Sequence, residues 1–312
     1  MPGQKIDLTK IKTIPLNIRK CKVSVNDFAK LPKKGGSFKS FYDSLPDILT
    51  SRNFKKLVEA LIAAGVKSKM VIFMMGAHVI KCGLSPIIID LMKRGIVKAV
   101  ALNGAGIIHD TEIAMIGRTS EDVGEGIVDG SFGMAKETAA FINDAINQGF
   151  KSGIGIGEAV GRRISQAKLP HRALSILANG YELDVPVTVH VALGTDIIHQ
   201  HPSANGAAIG EGSLLDFRNF IYSISKLEGG VAINFGSAVI LPEVFLKAVT
   251  VARNLGFRLD RFTTANFDMI SHYRPHQNVL ARPTSGGGKG YNIIGHHELM
   301  IPLLYRSVIE SI

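Results

Sequence analysis

Ten histidines are spread over the 312 residues, and most stand beside glycines, hydroxyls or acids, the usual company of a loop site. His199-Gln200-His201 is a His-x-His pair, His109 adjoins Asp110, and His296-His297-Glu298 sets two imidazoles and a carboxylate in a row. Zinc takes His nitrogen and carboxylate oxygen. His199, His201 and His109, with Asp196 or Glu112 nearby, therefore give one reading, a metal-dependent hydrolase or lyase. His-x-His alone is a weak pattern, and adjacent His296 and His297 cannot easily share one ion from a helix start, so no metal is assigned. His171 and His190 are read as hydrogen-bonded structural residues, His190 within a strand.

Small and hydroxyl-bearing loops are the second chemical signal. They are Gly76-Ala77-His78, Asn103-Gly104-Ala105-Gly106, Gly194-Thr195-Asp196, Gly236-Ser237, Thr264-Ala265-Asn266-Phe267-Asp268 and Ser285-Gly286-Gly287-Gly288-Lys289-Gly290. Glycine lets backbone approach a ligand closely, and amides at a following helix start favour an anion such as a pyrophosphate. Gly286 to Lys289 is not a P-loop, because Gly290 stands where a hydroxyl should follow the lysine. The run Gly153-Ile-Gly155-Ile-Gly157-Glu-Ala-Val-Gly161 misses the dinucleotide fingerprint, since its third glycine comes one residue late and no clear strand precedes it. It is read as a turn into a helix.

The elements that must position these loops follow from hydrophobic patterning. A continuous apolar run at Met70–Met75 predicts a strand buried on both faces, and Val97–Leu102 the next buried strand; Pro186–Leu193, Val231–Phe235 and Arg261–Ala265 are further strands. Between them, 3.6-residue patterning predicts helices. One starts at Thr50 or Ser51 and ends at Gly65. Others cover Ser85 to Arg94, Gly133–Gln148, Ser213–Lys226, Pro242–Leu255 and His297–Ser311. Such alternation predicts an α/β fold, a mostly parallel sheet with helices on both faces. Ligands of such sheets bind at the carboxyl ends of the strands. Residues 1–46 have weak periodicity and several breakers, so they are read as a basic arm on a single domain at 47–312.

Composition excludes other classes. Hydrophobic residues make up 46% of the chain, too many for a disordered polymer. Two cysteines give neither a disulfide framework nor Cys-based zinc spacing, and the N-terminus lacks an apolar signal core. No apolar stretch is long enough to cross a bilayer. A cytoplasmic protein with no membrane partner is expected. Ten basic residues but only Asp7 and Asp27 lie within 1–40, which places a net +8 of the chain's +10 in the arm. No aromatic residues interleave with the first lysines as single-strand binding wants, so the arm is read as a solvated strap rather than a nucleic-acid surface.

The order of motifs from about residue 45 onward resembles deoxyhypusine synthase. Leu102-Asn-Gly-Ala-Gly-Ile-Ile-His-Asp110 is similar to that family's Thr-Thr-Ala-Gly-Gly-Val-Glu-Glu-Asp. Pro186-Val-Thr-Val followed by Gly194-Thr-Asp-Ile-Ile-His-Gln-His201 is similar to its Pro-Val-Phe strand and Gly-Asp-Met-Ile-Phe-Phe-His segment. Gly236-Ser-Ala-Val-Ile-Leu241 stands where the family has Gly-Gly-Gly-Val-Val-Lys. Thr263-Thr-Ala-Asn-Phe-Asp268, Ala281-Arg-Pro283 and Pro302-Leu-Leu304 match in the same order. The resemblance implies a Rossmann-like NAD-binding domain assembled as a homotetramer, with sites between subunits, acting as a transferase. Carried over by position, it places NAD contacts on Asn103, Gly104, Ala105, Asp196, Thr264 and Ala265. Gly106, Gly236 and Ser237 complete the candidate cofactor set from the adjoining loops. The family's active-site histidine falls on His201, and one of its carboxylates on His109.

The departures redirect the chemistry. The family's imine-forming lysine falls on Leu241, which has no nucleophile. After Ala281-Arg-Pro283 the polyamine-holding acids and Trp are replaced by Thr-Ser-Gly-Gly-Gly-Lys, and the chain has no Trp. The expectation is an NAD-dependent enzyme with an altered, anionic small-molecule substrate in place of spermidine. Its candidate catalytic residues are His201, His109 and Lys289, the last on a glycine-flanked loop that could hold the anion. A binding relic of the family that has lost catalysis is the remaining alternative.

Overall fold

The computed structural model describes residues 6–311. Two helices, α1 (Phe38–Ser44) and α2 (Leu49–Val66), lead into β1 (Val71–Met75). Then come α3 (His78–Lys81), α4 (Ser85–Lys93) and β2 (Ala99–Asn103). Five helices follow before the next strand: α5 (Gly104–Ile116), α6 (Val123–Asp129), α7 (Lys136–Ser152), α8 (Ile156–Gln166) and α9 (Ile176–Glu182). The chain continues through β3 (Val187–His190), α10 (Gly206–Ser225), β4 (Val231–Phe235), α11 (Ile240–Asn254) and β5 (Thr263–Asp268). It closes with α12 (Tyr273–Pro275), a π-helical turn at His276–Ala281, β6 (Lys289–Ile294) and α13 (His297–Ile309).

The six strands form one sheet in the order β3-β2-β1-β4-β5-β6, and every neighbouring pair is parallel. This is the doubly wound order, whose direction of winding reverses between β1 and β4 and opens a crevice there at the carboxyl ends. The α/β reading of the sequence therefore holds. Alternation within β1 shows why its residues are all apolar. Val71, Phe73 and Met75 join the core that includes Leu57 and Leu61 of α2. Ile72 and Met74 join a second core on the opposite face with Phe220 of α10 and Phe245 of α11. A strand between two helical layers has no wet side, so its pattern loses the period of two.

Several elements differ from expectation. Helix α5 begins with Gly-Ala-Gly and is buried nearly all round, so it lacks the polar stripe that marks an amphipathic helix. Helix α7 runs past Gly149 and stops at Gly153, which has φ +67°. Gly149 lacks a side chain because α8 packs there: a β-carbon on it would lie 2.6 Å from that of Ala159. The strand at 261–265 runs to Asp268, and the glycine loop at 285–290 leads into β6, a half-exposed strand rich in polar residues.

The glycines at 153–161 serve packing. A β-carbon on Gly157 would stand 1.7 Å from the Val187 carbonyl oxygen, and one on Gly155 would stand 2.0 Å from Asp216 Oδ1. Asp216, 1% exposed, accepts from Gly157 N and Val189 N, both at 2.9 Å. A carboxylate of the chain itself thus fills the start of α8, where a pyrophosphate would have to sit.

The arm exposes apolar side chains as well as its lysines. Ile6, Leu8, Ile11, Ile14, Leu16, Ile18, Val25 and Leu31 are each more than half exposed. Its ties to the body begin at Asp27, whose carbonyl accepts from Asp47 N at 3.0 Å and whose carboxylate meets Arg52 at 2.9 Å. Helix α1, within the stretch expected to be irregular, is capped by Ser37 and sets Tyr42 against Phe54 at 6.4 Å between ring centres.

Candidate functional site

Asn103 ends β2 and caps α5, its side-chain oxygen accepting from Gly106 N at 3.1 Å. Gly104 follows in contact with Asp196. An ideal β-carbon on Gly104 would lie 1.9 Å from Asp196 Oδ2, so only glycine fits. Asp196 is 8% exposed and its Oδ2 has no partner among the described residues. Burial raises its pKa to about 6. Beside it, His199 Nδ1 accepts from Gly194 N at 3.1 Å and Asp196 N at 3.3 Å. That ring therefore carries its proton on Nε2, which is buried without a partner among the described residues.

A cavity of about 210 Å³ opens at this end of β2 and β3, lined by Lys81, Ala105, His109, Glu112, Glu121 and Asp196 among others. His109 Nδ1 meets Thr119 Oγ1 at 2.6 Å, and that hydroxyl donates to Glu112 Oε2 at 2.5 Å. Glu112 Oε1 accepts from Thr138 at 3.0 Å. Burial and then the charge of Lys81 lower the His109 pKa to about 4.

Across the switch point lies a second cavity of about 230 Å³, lined by His78, Gly236, Asp268 and His297 among others. Gly76 and Gly236 meet backbone to backbone at its floor, for a β-carbon on Gly76 would lie 3.0 Å from the Gly236 carbonyl oxygen. Gly236 has φ +68°, and a β-carbon there would lie 2.5 Å from His297 Nε2. His297 Nδ1 and Asp268 Oδ2 are both buried without hydrogen-bond partners among the described residues.

The candidate residues divide accordingly. Asn103, Gly104, Ala105, Gly106, His109 and Asp196 come together at the ends of β2 and β3, and Gly236 lies at the end of β4. Ser237 is adjacent, but its hydroxyl accepts from Leu241 N at 3.2 Å and so helps start α11. Thr264 and Ala265 require correction. They sit on the rungs of Ala232 and Ile233, inside β5, and are 0% exposed. The residue that reaches the crevice from β5 is Asp268.

Lys289 is also misplaced by the sequence reading. It opens β6 opposite Thr263, on the first rung of the sheet, and lies about 16 Å from the carboxyl edge at roughly 3.3 Å per residue. Lys81, which the sequence reading did not single out, is the lysine that lines the cavity. A signal was present: it stands five residues after Gly76, the first residue beyond β1.

His201 does not line either cavity. Its Nδ1 lies 2.7 Å from Ser203 Oγ and accepts from Ser203 N at 3.2 Å, while Asn143 of α7 donates to the same Oγ at 3.0 Å. His190 is core: 3% exposed, against Phe220 at 5.3 Å, with its pKa lowered to about 3 by burial. Among the described residues no three His, Cys, Asp or Glu side chains are grouped to hold a metal ion. The metal-hydrolase reading is not favoured.

No protein-family model matches the sequence, and no curated protein matches it. Solved structures do match in fold. A conserved candidate LOR/SDH protein from Methanococcus maripaludis S2 aligns with TM-score 0.51 and 13% identity over 85% of this chain and 71% of that one. A candidate deoxyhypusine synthase from Entamoeba histolytica aligns with TM-score 0.53 and 11% identity over 88% of this chain and 94% of that one. AgrE, in a ternary complex with ornithine and NAD+, aligns with TM-score 0.53 and 14% identity over 83% of this chain. This chain spans only 33% of the length of that one. At these identities the likeness establishes the Rossmann-like fold.

Proposed function

We propose that the chain is an NAD-dependent enzyme of the deoxyhypusine synthase-like superfamily, acting on a small anionic molecule other than spermidine. The observation that carries this is the crevice at the β1–β4 switch point. Two glycines close its floor, and orphaned buried polar atoms lie on both sides of it, Asp196 Oδ2 on one and Asp268 Oδ2 and His297 Nδ1 on the other. Buried groups without partners are costly, and a bound ligand would satisfy them. A dinucleotide fits this layout. Asn103 to Gly106 and Asp196 would hold one end, Gly236 would let it cross, and the other end would reach Asp268 and His297. When bound, NAD accepts or returns a hydride. The chain's own residues would orient the substrate and exclude water.

Two features support a substrate unlike the polyamine. Leu241, at the place of the family's imine-forming lysine, is 0% exposed in the core of α11. Lys81 supplies a cation at the cavity instead. Among the described residues no helix is long and apolar enough to cross a membrane. The reading includes a cytoplasmic homotetramer, supported by the apolar side chains of the arm, which a neighbouring copy would cover. Saturating NAD+ and NADH should raise the melting temperature by linkage. Absence of any shift with either, and of NAD signals in saturation-transfer NMR, would remove the dinucleotide from this reading.

A further inference from the structure

The His109–Thr119–Glu112 chain fixes more than a ring orientation. A threonine hydroxyl has one hydrogen, and here it is given to the Glu112 carboxylate, which has none to offer. Toward His109 the same oxygen can only accept. His109 must then carry its hydrogen on Nδ1, leaving Nε2 with a free lone pair. Glu112 is itself held by Thr138 on its other oxygen, so the chain is anchored in α7 as well as α5. An imidazole whose inner nitrogen donates to an oriented acceptor, with the outer nitrogen bare in a cavity, is arranged as a general base.

We propose that His109 Nε2 is the proton acceptor of the cavity between β2 and β3, that Glu112 and Thr119 are its positioning residues, and that the ligand carries an O–H or N–H beside an anionic group paired with Lys81. The proton leaves the ligand's oxygen or nitrogen for Nε2, and the bonding electron pair stays on the ligand atom. The imidazolium so formed keeps its Nδ1–H bond to Thr119, whose oxygen, polarised by its own bond to the Glu112 carboxylate, stabilises the positive charge. The groups facing the ring are Lys81 from α3, Glu112 from its own helix, Glu121 from the loop above and Asp196 from the β3 side. Burial first, and then the charge of Lys81, keep the ring neutral at rest. An anion paired with Lys81 would offset that charge and make the ring a better base as the ligand arrives. The proposal concerns the cavity of the functional reading but does not depend on NAD, and its test uses none.

The test is long-range proton–nitrogen correlation NMR on protein labelled at its histidine nitrogens. The wild-type His109 should show a protonated Nδ1 and a bare Nε2. Thr119→Val should turn this into a mixture of tautomers, while Thr119→Ser should retain the wild-type pattern. A wild-type ring protonated on Nε2, or a Thr119→Val spectrum identical to wild type, would overturn this arrangement. Backbone spectra of each variant show whether it folds, and Glu112→Gln gives a second route if Thr119→Val does not. L-lactate, a carboxylate with an adjacent hydroxyl, is the ligand probe. It should move the His109 Nε2 signal in wild type and not in Lys81→Met. A signal that stays still in wild type, or moves equally in Lys81→Met, would overturn the assignment of the anion to Lys81.

Discussion

The Asp196 carboxylate occupies the space that a side chain on Gly104 would need, with 1.9 Å between Oδ2 and the ideal β-carbon. Gly104→Ala must therefore displace Asp196 or the start of α5. Overpacking of this kind costs about 1–3 kcal/mol. Because the two sites share one contact, their effects should not add. Gly104→Ala combined with Asp196→Ala should recover much of the loss in urea unfolding. A double variant as unstable as the sum of the singles would show that the contact is not the cause.

Asp216 makes stability depend on pH in a definite sense. Burial raises its pKa to about 7 against an ordinary value of 3.8. Between those values the folded state holds a proton that the unfolded state has released, so stability falls as pH rises through that window. Asn at this position has no proton to lose, and its amide oxygen can accept from Gly157 N and Val189 N as Oδ2 does. The difference in stability between Asp216→Asn and wild type should shift toward the variant from pH 4 to pH 7, read by denaturant midpoints at each pH.

Removing charge from the two lysines should separate the ends of the sheet. Lys289→Ala lies at the amino edge and should change stability by less than about 0.5 kcal/mol. It should leave every ligand-induced shift in melting temperature intact. A loss of NAD or lactate response in Lys289→Ala would mean that the site reaches around the sheet.

His201→Ala should behave as a structural change. It removes a partner of Ser203 and loosens the tie to Asn143, at a cost of about 1 kcal/mol. Thermal melts should show the loss, with the response to NAD unchanged. An intact melting temperature with NAD binding abolished would return His201 to the site.

The arm should govern association. Deleting residues 1–26 removes most of its exposed apolar side chains and stops short of Asp27, where the ties to the body begin. The shortened chain should stay folded by circular dichroism and sediment as a smaller species than the full chain. Equal sedimentation of the two would place the contacts between copies elsewhere.

The sheet was legible because two-sided burial writes a continuous apolar run into β1 and mostly apolar runs into β2 and β4. The ends of strands were less so, and site residues depend on ends. Asn266 and Asp268 are polar, which suggested a loop after Ala265. In fact Asn266 is buried in the sheet, bonding Asn234 at 2.7 Å and Asn292 at 3.1 Å. That cross-strand row of amides extends β5 by three residues and moves Thr264 and Ala265 below the crevice. Lys289 was misjudged for a related reason. A glycine run marks a loop, but not whether it enters or leaves a strand. Asn103 to Gly106 and His109 drew notice as a small-residue stretch after an apolar strand and through the resemblance, but that the stretch is a capped helix start was not read. The dependence of His109 on Thr119, ten residues away, is not local. It exists only because α5 ends at Gly117 and the chain turns back.

The outer edge of β3 has no neighbouring strand, and its free amides and carbonyls could template another chain. Helix α10 closes it with side chains. Asp216 takes the Val189 amide, while Ser213 accepts from Val191 N at 3.1 Å and donates to the Val189 carbonyl at 3.4 Å. These two residues, three apart on one helical face, stand in for a seventh strand. A chain that loses both would keep its cavities yet present a bare, valine-rich ribbon to its neighbours. Asp216, which also anchors the start of α8, thus shields this edge from other chains together with Ser213.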